Sequence, residues 1–225
     1  MALLKFDFAK EDSLSAIWEI KESEEDLLKI CSLTDYDKEL LKNISSTGRR
    51  IEILIVRAII NFLNPNLKIT YDDRKPVCNY GFISISHSDT LVAVIWHPTK
   101  IPTVDIEHIN NRIKRIAKRA FNENELNFAN DNTELLTKIW SCKECVFKLA
   151  DTQGIDFKKQ IFVSKFNTDS RVTQSLDEAE TQTDYQVTQQ SNETIQCTLK
   201  LDDTEKLFNF SHQSLKDHVL VWGMV

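Results

Sequence analysis

Apolar residues recur at helical spacing in some stretches of this chain and alternate with polar residues in others. Leu27, together with the flanks of Glu24–Cys31, predicts a short helix, and Asp35–Lys42 predicts a second. From Arg49 to Leu63 the apolar positions form a broad stripe, so a long amphipathic helix is expected there, stopped by Asn64-Pro65-Asn66. Ile109, Ile113, Ile116 and Ala120 keep the i, i+4, i+7, i+11 spacing of another helix, and Leu135–Leu149 gives the second strong one. Alternation predicts strands around Lys5–Phe8 and Ala16–Ile20, and shorter ones at 67–71 and Thr103–Ile106. Phe82–Ser86 and Leu91–Trp96 read as a hairpin with His87-Ser88-Asp89-Thr90 at its tip. A polar turn is expected at Asp72–Pro76 and a terminal strand over Asp217–Val225. Residues 166–196, rich in Thr, Gln, Ser and Asp, fit either long twisted strands or a mobile segment.

Both halves thus run strands, helix, strands. The expected class is α+β, with two similar lobes in pseudo-twofold arrangement, each a small mainly antiparallel sheet packed on a long helix. The lobes would be residues 1–102 and 103–225, forming one compact unit with a site at the interface. The length of 225 residues suits this and allows a sizeable core.

Composition narrows the function. Four Gly and four Pro exclude collagen-like and linker-like chains. A net charge of −6 argues against nucleic-acid binding by bulk charge. The longest apolar runs, Ile51–Val56 and Leu91–Trp96, fall far short of a membrane span. The opening MALLKFDFAKED is too soon acidic for a signal peptide, and five cysteines, an odd number, read as reduced thiols of a cytoplasmic protein. No nucleic-acid or membrane partner is therefore expected.

Four groups of residues could carry chemistry. Asp105 and Glu107 project from one face of a strand, as a pair of hard-metal ligands or as a solvated strand end. Glu144 and Lys148 share a helix face, as active groups or as an exposed ion pair. Cys142 and Cys145, although spaced C-x-x-C, lack a second ligand pair and read as small packing residues. Ser84-Ile85-Ser86-His87-Ser88 could hold phosphate oxygens or form an ordinary polar turn. Ser86 and His87 point to opposite faces of a strand, which disfavours a nucleophile–base pair. Basic residues add two further features. Arg49, Arg50 and Arg57 lie on the long helix and Lys75 in the turn before the hairpin, Arg57 being anomalous inside an apolar run. Arg112, Lys114, Arg115, Lys118 and Arg119 are either the wet side of a helix or a docking face for an acidic partner.

The order of these groups is more specific than any one of them. A basic turn ending Lys75-Pro76, then Ser84-Ile85-Ser86-His87-Ser88, then Val104-Asp105-Ile106-Glu107, then Trp140-Ser141-Cys142-Lys143-Glu144-Cys145-Val146-Phe147-Lys148 resembles the 4′-phosphopantetheinyl transferase superfamily. The segment from Ile116 to Glu125 resembles that family's link between its last two motifs. The length is similar to that of the monomeric, surfactin-type branch. The chain departs from the family's habit at Thr103, Arg74, Ser84 and Cys145, and its early basic residues are not placed, Lys38 and Lys42 both being candidates.

The resemblance implies transfer of the 4′-phosphopantetheine arm of coenzyme A to a serine of an apo acyl or peptidyl carrier protein, with release of 3′,5′-ADP. Such a transferase serves fatty-acid, polyketide or nonribosomal-peptide synthesis. It implies that Asp105, Glu107 and Glu144 hold Mg²⁺, for which Mn²⁺ can substitute. Glu144 and Lys148 would be catalytic, with Glu144 taking the serine proton. Arg49 or Arg50, Lys75, Ser86, His87 and Lys148 would bind coenzyme A. As an expectation from charge, the carrier docks on Arg112, Arg115, Ile116 and Arg119. The alternatives are a non-catalytic relative that binds coenzyme A or a nucleotide, and an interaction protein.

Overall fold

The computed structural model describes residues 3–9, 12–73, 75–150, 152–166 and 194–225. They are mixed α+β with antiparallel sheets and six helices, and they divide into two compact units. The first contains Met1–Ile106 with Met224–Val225, and the second Glu107–Gly223. The expectation for 166–196 lies outside the described residues, apart from Phe166 and Thr194–Gln196.

The first unit opens with strands β1 (Leu3–Phe6) and β2 (Leu14–Glu19). Helices α1 (Glu24–Ile30), α2 (Asp35–Lys42) and α3 (Thr47–Leu63) follow, each begun by a hydroxyl residue. Ser23, Thr34 and Ser46 accept the backbone N–H three residues on, which satisfies a donor that the first helical turn cannot pair. α3 stops at Asn64, which is extended because it precedes Pro65. Then come β3 (Ile69–Asp72), β4 (Lys75–Cys78), β5 (Phe82–His87) and β6 (Leu91–His97). The expected turn at Asp72–Pro76 is shorter than the sequence suggested. Lys75 and Pro76 already belong to β4, paired with Asp72 and Tyr71 of β3. The two-stranded ladder tolerates Pro76 because an edge strand can do without one N–H.

The main sheet of this unit has the order β1-β2-β6-β5, with Ile17 opposite Ala93 and Ser86 opposite Ala93 on the other side. Trp18, Val92, Val94 and Trp96 pack against Leu54, Ile55, Ala58 and Ile59 of α3 in one apolar cluster. Each fully buried aliphatic side chain there contributes about 1.5–3 kcal/mol. Arg57, anomalous in the sequence, lies inside this region and donates from Nε to Asp37 Oδ1 at 2.6 Å. Gly81 has φ +69°, and a Cβ there would lie 2.6 Å from the His97 carbonyl oxygen, so only glycine lets this turn approach β6.

Strand β7 (Pro102–His108) runs across the boundary between the units. The second unit continues with α4 (Ile113–Ala120), α5 (Glu123–Ala129), α6 (Thr133–Ala150), β8 (Ile161–Val163), β9 (Thr194–Leu201), β10 (Thr204–Leu215) and β11 (His218–Met224). Ile109 is not in a helix as expected. β7 continues to His108, Ile109 donates its N–H to the Asp217 carbonyl, and the Asn110 side chain turns the chain by accepting the Arg112 N–H. β8–β11 pair antiparallel in the order β11-β10-β9-β8. Cys142, Cys145 and Val146 of α6 pack against Ile195, Cys197, Phe210 and Val221 of this sheet. All five cysteines are thiols; Cys142, Cys145 and Cys197 are buried and Cys31 and Cys78 half-buried. Among the described residues no helix is long and apolar enough to cross a membrane.

Candidate functional site

Within the first unit, β5 and the start of β7 are joined through two serine hydroxyls. Ser84 Oγ accepts the Val104 N–H and Ser86 Oγ the Ile106 N–H, both at 3.1 Å. These residues are i and i+2 on both strands, so the hydroxyls act as successive rungs on one face. Ser86 also donates to Asp105 Oδ1 at 3.0 Å, and both residues are buried.

His87, the next residue, points to the opposite side and is exposed. Its Nε2 lies 2.9 Å from Arg49 Nη1, and its Nδ1 3.5 Å from Glu52 Oε1. Arg49 in turn donates to Glu52 at 2.7 Å. Arg49, Glu52, Tyr71, Pro76 and His87 line a cavity of about 110 Å³ floored by apolar residues such as Ile85 and Val92. Arg50 and Ser86 are not among its lining residues. Arg50 instead grips Glu24 with two bonds, of 2.7 and 2.9 Å, and the Ile44 carbonyl with a third. The guanidinium's hydrogen bonds hold the Glu24 carboxyl below its ordinary range. Lys38 and Lys42 form exposed ion pairs with Asp35 and Glu39 within α2.

In the second unit, the Trp140 indole of α6 donates to Glu107 Oε1 at 3.2 Å. The Trp140 ring stacks on Phe157 with centroids 5.3 Å apart, which fixes the indole from its other side. Glu144 and Lys148 lie one turn apart on α6, both half-buried. Between Trp140 and Glu144 sits Lys143, which sequence reasoning passed over. Its ammonium lies 2.9 Å from Glu125 Oε2 and donates to the carbonyls of Phe157 and Ile161. Burial pushes this ammonium below its ordinary pKa, and the Glu125 carboxylate opposes that shift. Glu125 also accepts the N–H groups of Asn122 and Val163. The legible signal was the capping pattern Asn122-x-x-Glu125, which opens α5.

On α4, Ile113 and Ala117 are buried and Ile116 half-buried, while Arg112, Arg115, Lys118 and Arg119 are exposed. Lys114 is paired with Asp131. The basic cluster is therefore a continuous wet face over an apolar anchor.

Asp105 and Glu107 occupy alternate positions of β7, each carboxylate held by a neutral donor, the Ser86 hydroxyl and the Trp140 indole. Among the described residues no three His, Cys, Asp or Glu side chains are gathered closely enough to hold a metal ion by themselves. Mg²⁺ does not require that, because it is usually held by one or two carboxylates and completed by phosphate oxygen and water. The all-oxygen donor set with outer donors fixing the carboxylates fits such an ion.

A family model of the 4′-phosphopantetheinyl transferase superfamily matches residues 103–218, a span that includes Asp105, Glu107, Glu144 and Lys148. The chain belongs to this superfamily, and its activity is phosphopantetheinyl transfer, with coenzyme A the family's substrate. No curated protein matches the chain significantly.

Proposed function

We propose that the protein moves the 4′-phosphopantetheine arm of coenzyme A onto a serine of an apo acyl or peptidyl carrier protein, with Mg²⁺, and releases 3′,5′-ADP. The observation that carries this reading is the family match over 103–218, within which both β7 carboxylates, Glu144 and Lys148 are present together. Asp105, Glu107 and Glu144 would hold the divalent ion, which when bound neutralises charge on the pyrophosphate. Phosphoryl transfer asks mainly for alignment and electrostatic stabilisation. Lys148, one turn from Glu144, supplies a positive charge to the phosphates. Glu144 takes the proton of the carrier serine as its oxygen bonds to the pantetheine-bearing phosphorus. The bond from that phosphorus to the 3′,5′-ADP oxygen breaks.

The cavity beside Arg49 and His87 suits the phosphorylated nucleotide end of coenzyme A, with Lys75 adjoining through Pro76. Arg50, engaged by Glu24, serves the first unit's packing. The exposed basic face of α4, with Arg112, Arg115 and Arg119 around Ile116, would receive the acidic carrier. A sheet with a long helix in each of the two units supports the surfactin-type, monomeric branch.

Intact-mass spectrometry tests the whole reading. The protein is mixed with coenzyme A, Mg²⁺ and an apo acyl carrier protein, with and without EDTA. The carrier should gain one phosphopantetheine arm, and EDTA should prevent the gain. No gain with acyl and peptidyl carriers alike would reject the transfer.

A further inference from the structure

We infer that Ser86 is a positioning residue for the carboxylate of Asp105, and not a contact for coenzyme A phosphate. This rests on the metal role proposed for Asp105. A serine hydroxyl has one proton to give. In Ser86 that proton goes to Asp105 Oδ1 at 3.0 Å, while the same oxygen accepts the Ile106 N–H at 3.1 Å. The two bonds tie the carboxylate to the backbone of its own strand through a buried group with 7% exposure. A phosphate oxygen needs a donor, and to provide one Ser86 would have to release Asp105. His87 and Arg49, on the other side of β5, are exposed and line the cavity beside Glu52. The sequence run Ser86-His87 therefore divides between two tasks by strand alternation: the serine orients a metal-binding carboxylate, and the histidine faces the nucleotide.

Ser84 provides an internal control. It makes the same hydroxyl rung to β7, through the Val104 N–H, two residues from Ser86. Loss of either hydroxyl strands one buried N–H, so Ser84→Ala and Ser86→Ala should both lower stability, Ser86→Ala the more because it also takes a donor from the buried Asp105 carboxylate. Only Ser86→Ala should loosen the metal.

The test is titration of Mn²⁺, read by electron paramagnetic resonance, into coenzyme A-saturated protein, and calorimetric titration of coenzyme A in EDTA. Ser86→Ala should raise the Mn²⁺ dissociation constant about 10- to 100-fold, the usual effect of losing a group that orients a metal ligand. Ser84→Ala should leave it at the wild-type value, and coenzyme A affinity in EDTA should be the same in all three proteins. If Ser86→Ala does not fold, Ser86→Cys, close in volume and a weak donor, is expected to show the same pattern. Unchanged Mn²⁺ affinity, or a loss of coenzyme A affinity in EDTA, would overturn the inference. Failure of the wild-type protein to take up Mn²⁺ would overturn the metal reading of Asp105 and this inference with it.

Discussion

Lys143 Nζ lies 2.9 Å from Glu125 Oε2, and neither side chain is more than 2% exposed. The pair joins the start of α5 to the middle of α6, and the lysine's bond to the Ile161 carbonyl extends it to β8. Glu125 keeps its other bonds to Asn122 and Val163 whether or not the lysine is there. Lys143→Met would therefore leave a buried carboxylate without its cation, at a cost of about 3–5 kcal/mol. Lys143→Met with Glu125→Gln should recover part of the loss. Urea unfolding of both variants measures the difference, and equal stabilities would show that the pair is not coupled.

Glu144 differs from Lys143 in facing outward enough to be half-buried on the same helix. Glu144→Gln should lower transfer by at least about 100-fold, as for loss of a general base. Its stability should stay within about 0.5 kcal/mol of wild type. Retained transfer at ordinary Mg²⁺ would remove Glu144 from the site.

The basic face of α4 predicts a separation of substrate effects. Arg112→Glu with Arg115→Glu should raise the carrier KM about tenfold, near 1.4 kcal/mol of binding, and steepen no dependence on coenzyme A. Both residues are exposed, so the fold should persist. A carrier KM that does not move would exclude α4 as the docking face.

His212 gives a pH dependence of stability. Burial first, then the Lys138 charge, lowers its pKa from 6.5 to about 4, with Glu134 opposing. The unfolded chain thus binds this proton more readily than the folded one. The contribution is intact above pH 6.5 and is lost as pH falls towards about 4. The slope approaches about 1.4 kcal/mol per pH unit within that window. His212→Leu should flatten the change in urea midpoint between pH 6.5 and 5. An unaltered pH profile would refute the assignment.

The long helices α3 and α6 were legible because their apolar stripes span several turns, and α2 because a hydroxyl cap and an asparagine end frame it. α5 was not, since seven residues are too few to establish a period and its evidence lay in the cap. In β9 the buried Ile195, Cys197 and Leu199 alternate with exposed Thr194, Gln196 and Lys200, yet neighbouring polar composition masked the period. Residue types and order carried the acidic and basic members of the candidate site. What they could not carry was the direction of each charge. Arg57 and Lys143 are both cations within apolar helical runs, and both proved to be buried partners of acids from other elements, Asp37 and Glu125. Arg50 followed the same pattern nearer the surface. Pairing across the chain depends on tertiary placement, which local spacing does not encode.

The distribution of the thiols makes the chain its own two-channel recorder. Cys31 and Cys78 belong to the first unit and Cys142, Cys145 and Cys197 to the second. Burial drives the Cys31 pKa up to about 11 and raises that of Cys78, so even the half-buried pair is slow to form thiolate. The other three sit at 0% exposure. An alkylating reagent applied to the native protein therefore marks the second unit only as that unit opens and the first unit slowly until it opens, and the rate of adduct formation on each peptide tells which half of the molecule gave way first.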